Sequence, residues 1–297
     1  MPPRDALSKG HHTVTNSKDN PNQYNVPGLE RGLAVLRQFT RETPELSAPE
    51  IIARLGLPRS TVFRLLQTLE NFGYLVCTRD GHRYRLGVAV LRMGFEYLAS
   101  QSVVELGRPL IETLSLQAGL PAHLVILDGR SVIYAASARP RSALVGTVSV
   151  GTRLPAHATV FGRVLLAGRS LDELRQLFPE SHLPHTTGQT PDDVAALHAL
   201  VDADCKRGFG ISEGFYEPGI STIAVPIRDE SDQVMAAVGL TVTGPRVDRS
   251  LIEHGVVEMT IDTARNISEN LGYRGNAYAQ AHDNALALRD RAVEEVS

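Results

Sequence analysis

Apolar residues recur at three- and four-residue spacing in two runs near the start of the chain: Leu29, Leu33, Leu36 and Phe39, then Val62, Leu65, Leu66, Leu69 and Phe72. Each run predicts an amphipathic helix with one face turned to a core. Between them Ser47 and Glu50 stand at the spacing of a capping box, which predicts a helix from about Ala48 to Leu55, ended by Gly56. Only Gly56, Leu57 and Pro58 separate this helix from the next, the length of a helix-turn-helix corner. Pro58 suits a first helical turn and Gly73 an end. Downstream, "YLVCT" and "RYRLG" flank "RDGH", and an Asp-Gly pair between alternating runs predicts a hairpin. Three helices followed by a hairpin describe a winged helix-turn-helix.

That arrangement gives a purpose to the polar face of the third helix, where Ser60, Arg64, Gln67 and Asn71 fall together. On its own such a face is a solvated surface. Behind a helix-turn-helix corner it meets the major groove, so Arg59, Ser60, Thr61, Arg64 and Gln67 are candidates to contact duplex operator DNA. Arg79, His82, Arg83 and Arg85 on the wing are candidates for phosphates. The overall charge of −3 argues against a nucleic-acid partner, but its distribution reverses the argument. Residues 1–85 carry 12 Lys/Arg against 8 Asp/Glu, and the rest of the chain 18 against 25. A basic front on an acidic remainder fits a DNA-binding module fused to a domain that does not touch DNA.

Five stretches follow from composition and periodicity. Residues 1–25 are polar and predict a disordered arm; 26–86 form the winged helix; 87–101, containing "VAVLRMGFEYLASQ", form a linker helix. Val90, Leu91, Phe95 and Leu98 in that linker exceed what one small domain buries, which predicts a contact between two subunits. Residues 102–273 mix helices and strands: "VVELGRPLIETLSLQAG" is helical, "HLVILD" and "SVIYAAS" are strands, and "VFGRVLLAG", "LDELRQLF" and "PDDVAALHALVDADCKRG" are helical, the last capped by Thr190. "FGISEGFYEPGI" is strand and loop, "STIAVPIRD" and "QVMAAVGLTVTG" a hairpin, and "SLIEHGVVEMTIDTARNISENLG" a single closing helix. The expected class is α+β. Residues 274–297 are Ala-rich and charged, a tail that is either a solvated helix or disordered.

The order and spacing of "RGLAVL", "GLPRSTVFRLLQTLENFGY", "LPAHATVFGRVLLA", "KRGFGISEGFYEPGISTIAVPI" and "LTVTGP" resemble the IclR family of bacterial transcription regulators, over about residues 26–272. The resemblance implies a winged helix, a linker helix and a C-terminal GAF-like effector domain, assembled as a homodimer or a dimer of dimers on operator DNA. It also implies a small organic acid as effector. "VGTRLPA" followed by "GRVLLA", with "GFEYLAS", is most similar to the branch that controls breakdown of aromatic acids. By the same resemblance Thr159, Val160 and Phe161 at a helix start face the carboxylate, and Ser221, Thr222, Thr241 and Thr243 line the pocket through hydroxyl or backbone. Leu144, Val145 and Phe161 would pack on a ring, the first two from "SARPRSALVGTV", a covering segment. Ser212 and Thr222 depart from positions where an acidic residue and a Cys occur, which argues against a glyoxylate-like or pyruvate-like ligand.

Enzyme chemistry is the rival reading, a small-molecule-transforming domain fused to the DNA-binding one. His182 and His185 have no third ligand at a useful spacing, with Pro184 between them; Cys205 reads as packing, and Glu213 and Glu217 as loop carboxylates. No phosphate loop, nucleophile elbow, zinc signature or cofactor motif is found. Cys77 and Cys205 suggest neither a disulfide framework nor a metal site, and without a signal peptide or an 18-residue apolar run the expected location is cytoplasmic, with no membrane partner.

Overall fold

A computed structural model describes residues 25–100, 102–140 and 148–294. The chain divides into two units, Met1–Phe95 and Glu96–Ser297. The predicted arm of residues 1–25 falls almost wholly outside the described residues, as do Leu144 and Val145.

In the first unit α1 (Pro27–Leu36), α2 (Ala48–Leu55) and α3 (Arg59–Asn71) enclose a core of Val35, Phe39, Leu46, Ile51, Val62, Leu66 and Leu75. The capping box forms: the Ser47 hydroxyl accepts from the Glu50 amide at 3.4 Å, and the Ser47 amide donates back to the Glu50 carboxylate at 2.6 Å. Gly56, at φ +63°, takes the left-handed conformation that ends α2. Pro58 stands one residue before α3 rather than inside it. The wing is a three-stranded sheet: β1 (Glu45–Ser47) pairs with β3 (Arg83–Leu86), which pairs with β2 (Leu75–Cys77). The third strand, β1, was not expected, because three residues are too few to show an alternation. Three presumed core residues lie outside: Phe72 is 71% exposed, Leu29 63% and Leu33 47%. With Leu65, Leu69, Tyr74 and Met93 the last two line an apolar groove of about 600 Å³. Helix α4 runs from Val88 to Ser100, and the boundary between the units falls within it; the side chain of Leu98 is not described.

The second unit is a six-stranded antiparallel sheet in the order β6-β5-β4-β9-β8-β7, with helices on both faces. Its strands are β4 (Ala122–Asp128), β5 (Ser131–Ala138), β6 (Arg153–Pro155), β7 (Gly210–Glu213), β8 (Ile220–Arg228) and β9 (Val234–Thr243). Helices α5 (Ser102–Ala118) and α10 (Val256–Asn270) pack on one face over Leu124, Ile223, Val225, Val238 and Leu240. The other face carries α6 (Val160–Leu165), α7 (Leu171–Leu177) and α8 (Val194–Arg207) over Val125, Ala224 and Ala237. Because side chains alternate between faces, the strands β4, β5, β8 and β9 contribute to both cores, which explains the near-continuous apolar runs in "HLVILD" and "IAVPI".

Three expectations need correction. The cap of α8 is Asp193, whose carboxylate accepts from the Ala196 amide at 2.8 Å; the Thr190 hydroxyl instead accepts from the Thr186 and Thr187 amides in the loop before it. The closing helix is two, α9 (Arg249–Glu253) and α10, parted at Gly255 with φ +75°. The tail contains α11 (Ala277–Glu294), which buries Tyr278, Ala281 and Ala285 against the sheet's α10 side. The Tyr278 hydroxyl donates to the Pro226 carbonyl of β8 at 2.7 Å and lies 2.6 Å from the Ser268 hydroxyl, which accepts from the Arg228 amide at 2.9 Å. Strand β7 pairs with β8 only as far as Ala224, so α10 and α11 complete the β8 hydrogen bonds beyond it. Asn284 donates to the Lys206 and Arg207 carbonyls that end α8.

Candidate functional site

Two surfaces carry the residues singled out by sequence. On the first unit, Ser60, Arg64 and Gln67 are exposed on one side of α3, opposite the fully buried Val62 and Leu66. Arg59 is exposed as well and sits over the Phe63 ring, 5.4 Å from its centroid, while Thr61 is half-buried. The sequence reading passed over Phe63, an aromatic ring on the polar side of the helix.

The wing arginines divide. Arg79 and Arg85 are exposed, and His82 is exposed at the turn, where the Asp80 carboxylate accepts from its amide at 3.2 Å. Arg83 points back into the domain: it donates to the Glu45 carbonyl at 3.1 Å and to the Glu50 carboxylate at 3.3 Å. Hydrogen bonds from the Ser47 hydroxyl and amide, with Arg83 alongside, hold the Glu50 carboxyl below its ordinary range. Arg83 thus ties the wing to the start of α2, a role that competes with the phosphate contact expected of it.

On the second unit, β-sheet register explains the placement of the effector candidates. Pairing sets Ser212, Thr222 and Thr241 side by side across β7, β8 and β9 on the α6 face. Two residues along, the next row on that face is Gly210, Ala224, Gly239, His123 and Ser137. Its small residues are what let α6 lie down: a Cβ on Gly239 would come within 2.8–2.9 Å of the Phe161 ring, and one on Gly210 within 2.5 Å of Val160. Gly162 is needed for the same reason, since a Cβ there would overlap the Ala156 carbonyl. Thr159 caps α6, its hydroxyl accepting from the Gly162 amide at 3.0 Å. The amides of Val160 and Phe161 stand in the first turn of α6, ahead of its intrahelical acceptors.

Ser221 lies apart from this group. Alternation turns it to the α10 face, where its hydroxyl donates to the Gly244 carbonyl at 3.0 Å, so Ser221 and Thr222 do not share a surface. Thr241 is half-buried and Thr243 exposed at the strand end, on the Thr222 side. The hydroxyl at Ser221 answers a backbone group, the ordinary use of a strand serine.

The structure adds groups that sequence reasoning missed. His123 and Tyr134 meet edge-on at 5.2 Å between ring centroids, and Tyr134 meets Phe161 at 5.7 Å, forming an aromatic wall. His123 is wholly buried, which lowers its pKa to about 4 and leaves it neutral. Burial, with Tyr216 nearby, pushes the Tyr134 phenol above its ordinary range. The alternation of "AHLVILD" would have put His123 on the same face as Val125, but nothing in the sequence marks which strand adjoins β4. Behind α6, Arg163 Nε donates to the Asp204 carboxylate at 2.7 Å, its Nη2 to the Ile211 carbonyl at 3.0 Å, and the guanidinium covers the Phe215 ring at 4.6 Å. Desolvation lowers Arg163 and raises Asp204 from their ordinary values, outweighing the attraction between them.

The groups considered for catalysis are dispersed. His185 faces Asp192 at 3.0 Å, Cys205 is exposed on α8, and Glu213 accepts from the Val247 amide at 3.1 Å. Among the described residues no three His, Cys, Asp or Glu side chains are grouped to hold a metal, and no helix is long and apolar enough to cross a membrane.

Comparison with known proteins gives a consistent result. The family description "Bacterial transcriptional regulator IclR C-terminal" matches residues 95–269, and "IclR helix-turn-helix domain" matches 28–77. The Pca regulon regulatory protein of Pseudomonas putida is 33% identical over 247 residues, 83% of this chain and 84% of that protein. The transcriptional regulator XynR of Escherichia coli is 31% identical over 75% of this chain and 88% of its own. A transcriptional regulator of Rhodococcus sp. RHA1 superposes with a TM-score of 0.72 at 32% identity, covering 83% of this chain and 98% of that one. An IclR homolog from Microbacterium hydrocarbonoxydans, solved with 4-hydroxybenzoate, gives 0.70 at 25% identity over 82% and 98%.

Proposed function

Because the chain belongs to the IclR family of bacterial transcription regulators, a ligand-responsive, DNA-binding family, we propose that its effector is an aromatic carboxylic acid or a close derivative. The observation that supports this reading is the α6 face of the sheet, which bears the hydroxyl row of Ser212, Thr222 and Thr241 and the contact of Tyr134 with Phe161 of α6. The Val160 and Phe161 amides take the carboxylate, Thr222 and Thr241 orient it, and Phe161 with Tyr134 packs on the ring. Thr243 borders the open end of that face, and Thr159 and Ser221 act structurally. The complex of a similar protein with 4-hydroxybenzoate supports an aromatic ligand. Arg59, Ser60, Thr61, Arg64 and Gln67 read or flank base edges, and Arg79 and Arg85 contact phosphates.

The working assembly is a homodimer, alone or paired. Leu91, Met93 and Phe95 of α4 and the apolar groove beside Leu29 and Leu33 are exposed on the first unit, and a second copy of that unit covers them. Two copies related by a two-fold axis then match an operator of two half-sites. The ligand acts by favouring one arrangement of the dimer over another, since equal affinity for both would shift nothing.

Calorimetry with a panel of aromatic and aliphatic acids, on wild type and Thr222→Val, tests the ligand. Loss of the hydroxyl removes one hydrogen bond, about 0.5–1.5 kcal/mol. Preference for pyruvate-sized acids would overturn the aromatic reading, and equal affinity in the variant would remove Thr222 from the site.

A further inference from the structure

On the exposed side of α3, Phe63 is the single large apolar side chain, 42% exposed among Ser60, Arg64 and Gln67. Packing gives no reason for it, since Val62 and Leu66 fill the core from the opposite side of the helix. Its contact is with Arg59, one turn earlier. Helical side chains lean towards the N-terminus, which lays the ring over that turn, and the guanidinium carbon stands 5.4 Å from the ring centroid. Among the described residues the Arg59 side chain meets no carboxylate or carbonyl, so its N–H donors are uncommitted while the group itself is held against a ring. Arg64, exposed on the same helix, has no such support.

A helix that reads DNA presents its N-terminal turns to base edges, and Arg59 opens α3 with Phe63 in the next turn. Arginine reads guanine through paired hydrogen bonds to O6 and N7, which sets the guanidinium close to the plane of that base pair. A ring lying against the guanidinium is then out of that plane, at the level of the neighbouring base pair. There the apolar group that the major groove offers is the C5-methyl of thymine. From this geometry we propose that Arg59 and Phe63 form one reading unit, in which Phe63 holds the guanidinium for a guanine and itself meets a thymine methyl in the adjoining base pair. Each operator half-site therefore contains a thymine next to a guanine. The inference rests on the reading of α3 as the helix that meets base edges, and extends it to a residue outside the polar set. Phe63 has two roles, positioning Arg59 and contacting the methyl, and substitution separates them.

The test begins with selection from a random duplex library by the full chain, followed by fluorescence anisotropy on the selected duplex. In wild type, deoxyuridine in place of the thymine removes the methyl alone and weakens binding about fourfold, the share of one buried methyl. Replacing the adjacent guanine by 7-deazaguanine removes the N7 acceptor and weakens binding about fivefold or more. Phe63→Leu keeps an apolar contact but has no π-face, so the deoxyuridine penalty remains while the 7-deazaguanine penalty shrinks about two- to fivefold. Phe63→Gln loses both. Arg59→Lys loses the 7-deazaguanine penalty and keeps the preference for thymine. Position 63 lies outside the core, so both of its variants should melt with wild type. Equal affinity for thymine and deoxyuridine duplexes, a deoxyuridine penalty that survives in Phe63→Gln, or a selected half-site with no thymine beside an Arg59-dependent guanine overturns the inference and leaves α3 as the reading helix. A triple variant with alanine at Arg59, Arg64 and Gln67 that selects the wild-type sequence, or a full chain that enriches no sequence, overturns both.

Discussion

Breaking the buried pair between Arg163 and Asp204 exposes how α6 is held. Both side chains are 5% exposed, and they join α6 to α8 while Arg163 also holds β7 through the Ile211 carbonyl. In Asp204→Leu the guanidinium stays buried without its partner, at a cost of about 3–5 kcal/mol. In a unit of the size of Glu96–Ser297 each kcal/mol moves the melting temperature by about 2–4 °C, so the transition should fall by about 6–20 °C. Desolvation outweighs attraction for both groups, so the pair should add little over an apolar contact. Arg163→Met with Asp204→Leu should therefore recover most of the loss. The remaining deficit is about 1 kcal/mol, because the Ile211 carbonyl loses its donor. The chain has no tryptophan, so the transition is followed by circular dichroism in urea, with retained operator binding as the check that the first unit is intact. A single substitution costing under about 1 kcal/mol, or a double one as damaging as the single, would refute this account.

Three further outcomes are expected. Arg85→Ala should weaken binding to any duplex and reduce the slope of log affinity against log salt by about one, whereas Arg83→Ala should leave that slope unchanged and loosen the wing, read by fluorescence anisotropy across a KCl series. Gly239→Ala should destabilise the effector unit by about 1–3 kcal/mol or more and weaken ligand binding, because the added methyl meets the Ile223 carbonyl of β8 as well as the Phe161 ring; unchanged binding in calorimetry would separate this row from the site. His123 has its pKa depressed from 6.5 to about 4, so its contribution is complete above about pH 6.5 and lost as pH falls towards 4, where the unfolded chain takes up a proton that the native chain refuses. That amounts to about 3 kcal/mol, and urea titrations of His123→Phe should show a flatter dependence across this window.

Local signals carried much of the fold. The capping box at Ser47, the corner at Gly56–Pro58 and the Asp80-Gly81 turn each depend on neighbours in sequence, and each formed. What went unread depends on distant pairing. Whether Ser221 or Thr222 faces α6 is fixed by register against β7 and β9, and the apolar run around them is buried on both sides, so no alternation of polarity betrays the face. The Arg163–Asp204 contact spans 41 positions, and His123 acquires its neighbours only when β4 is laid between β5 and β9. The tail reads as a solvated helix or as disorder because its apolar stripe, Tyr278, Ala281 and Ala285, is narrow and diluted by alanine and charge.

That tail bears on solubility. A strand whose amides and carbonyls face outward is a template for another chain, and sheets commonly guard such edges with a bulge, a charge or a proline. Here β8 outruns β7 at Pro226, which has no amide to offer, and the Pro226 carbonyl and Arg228 amide are taken by Tyr278 and Ser268. Two helical side chains thereby act as a cover on the sheet margin. A protein shortened before Ala277 would keep every strand of its sheet and yet present an open Pro226 carbonyl beside a bare apolar surface, so its failing would be self-association rather than a change in what it senses.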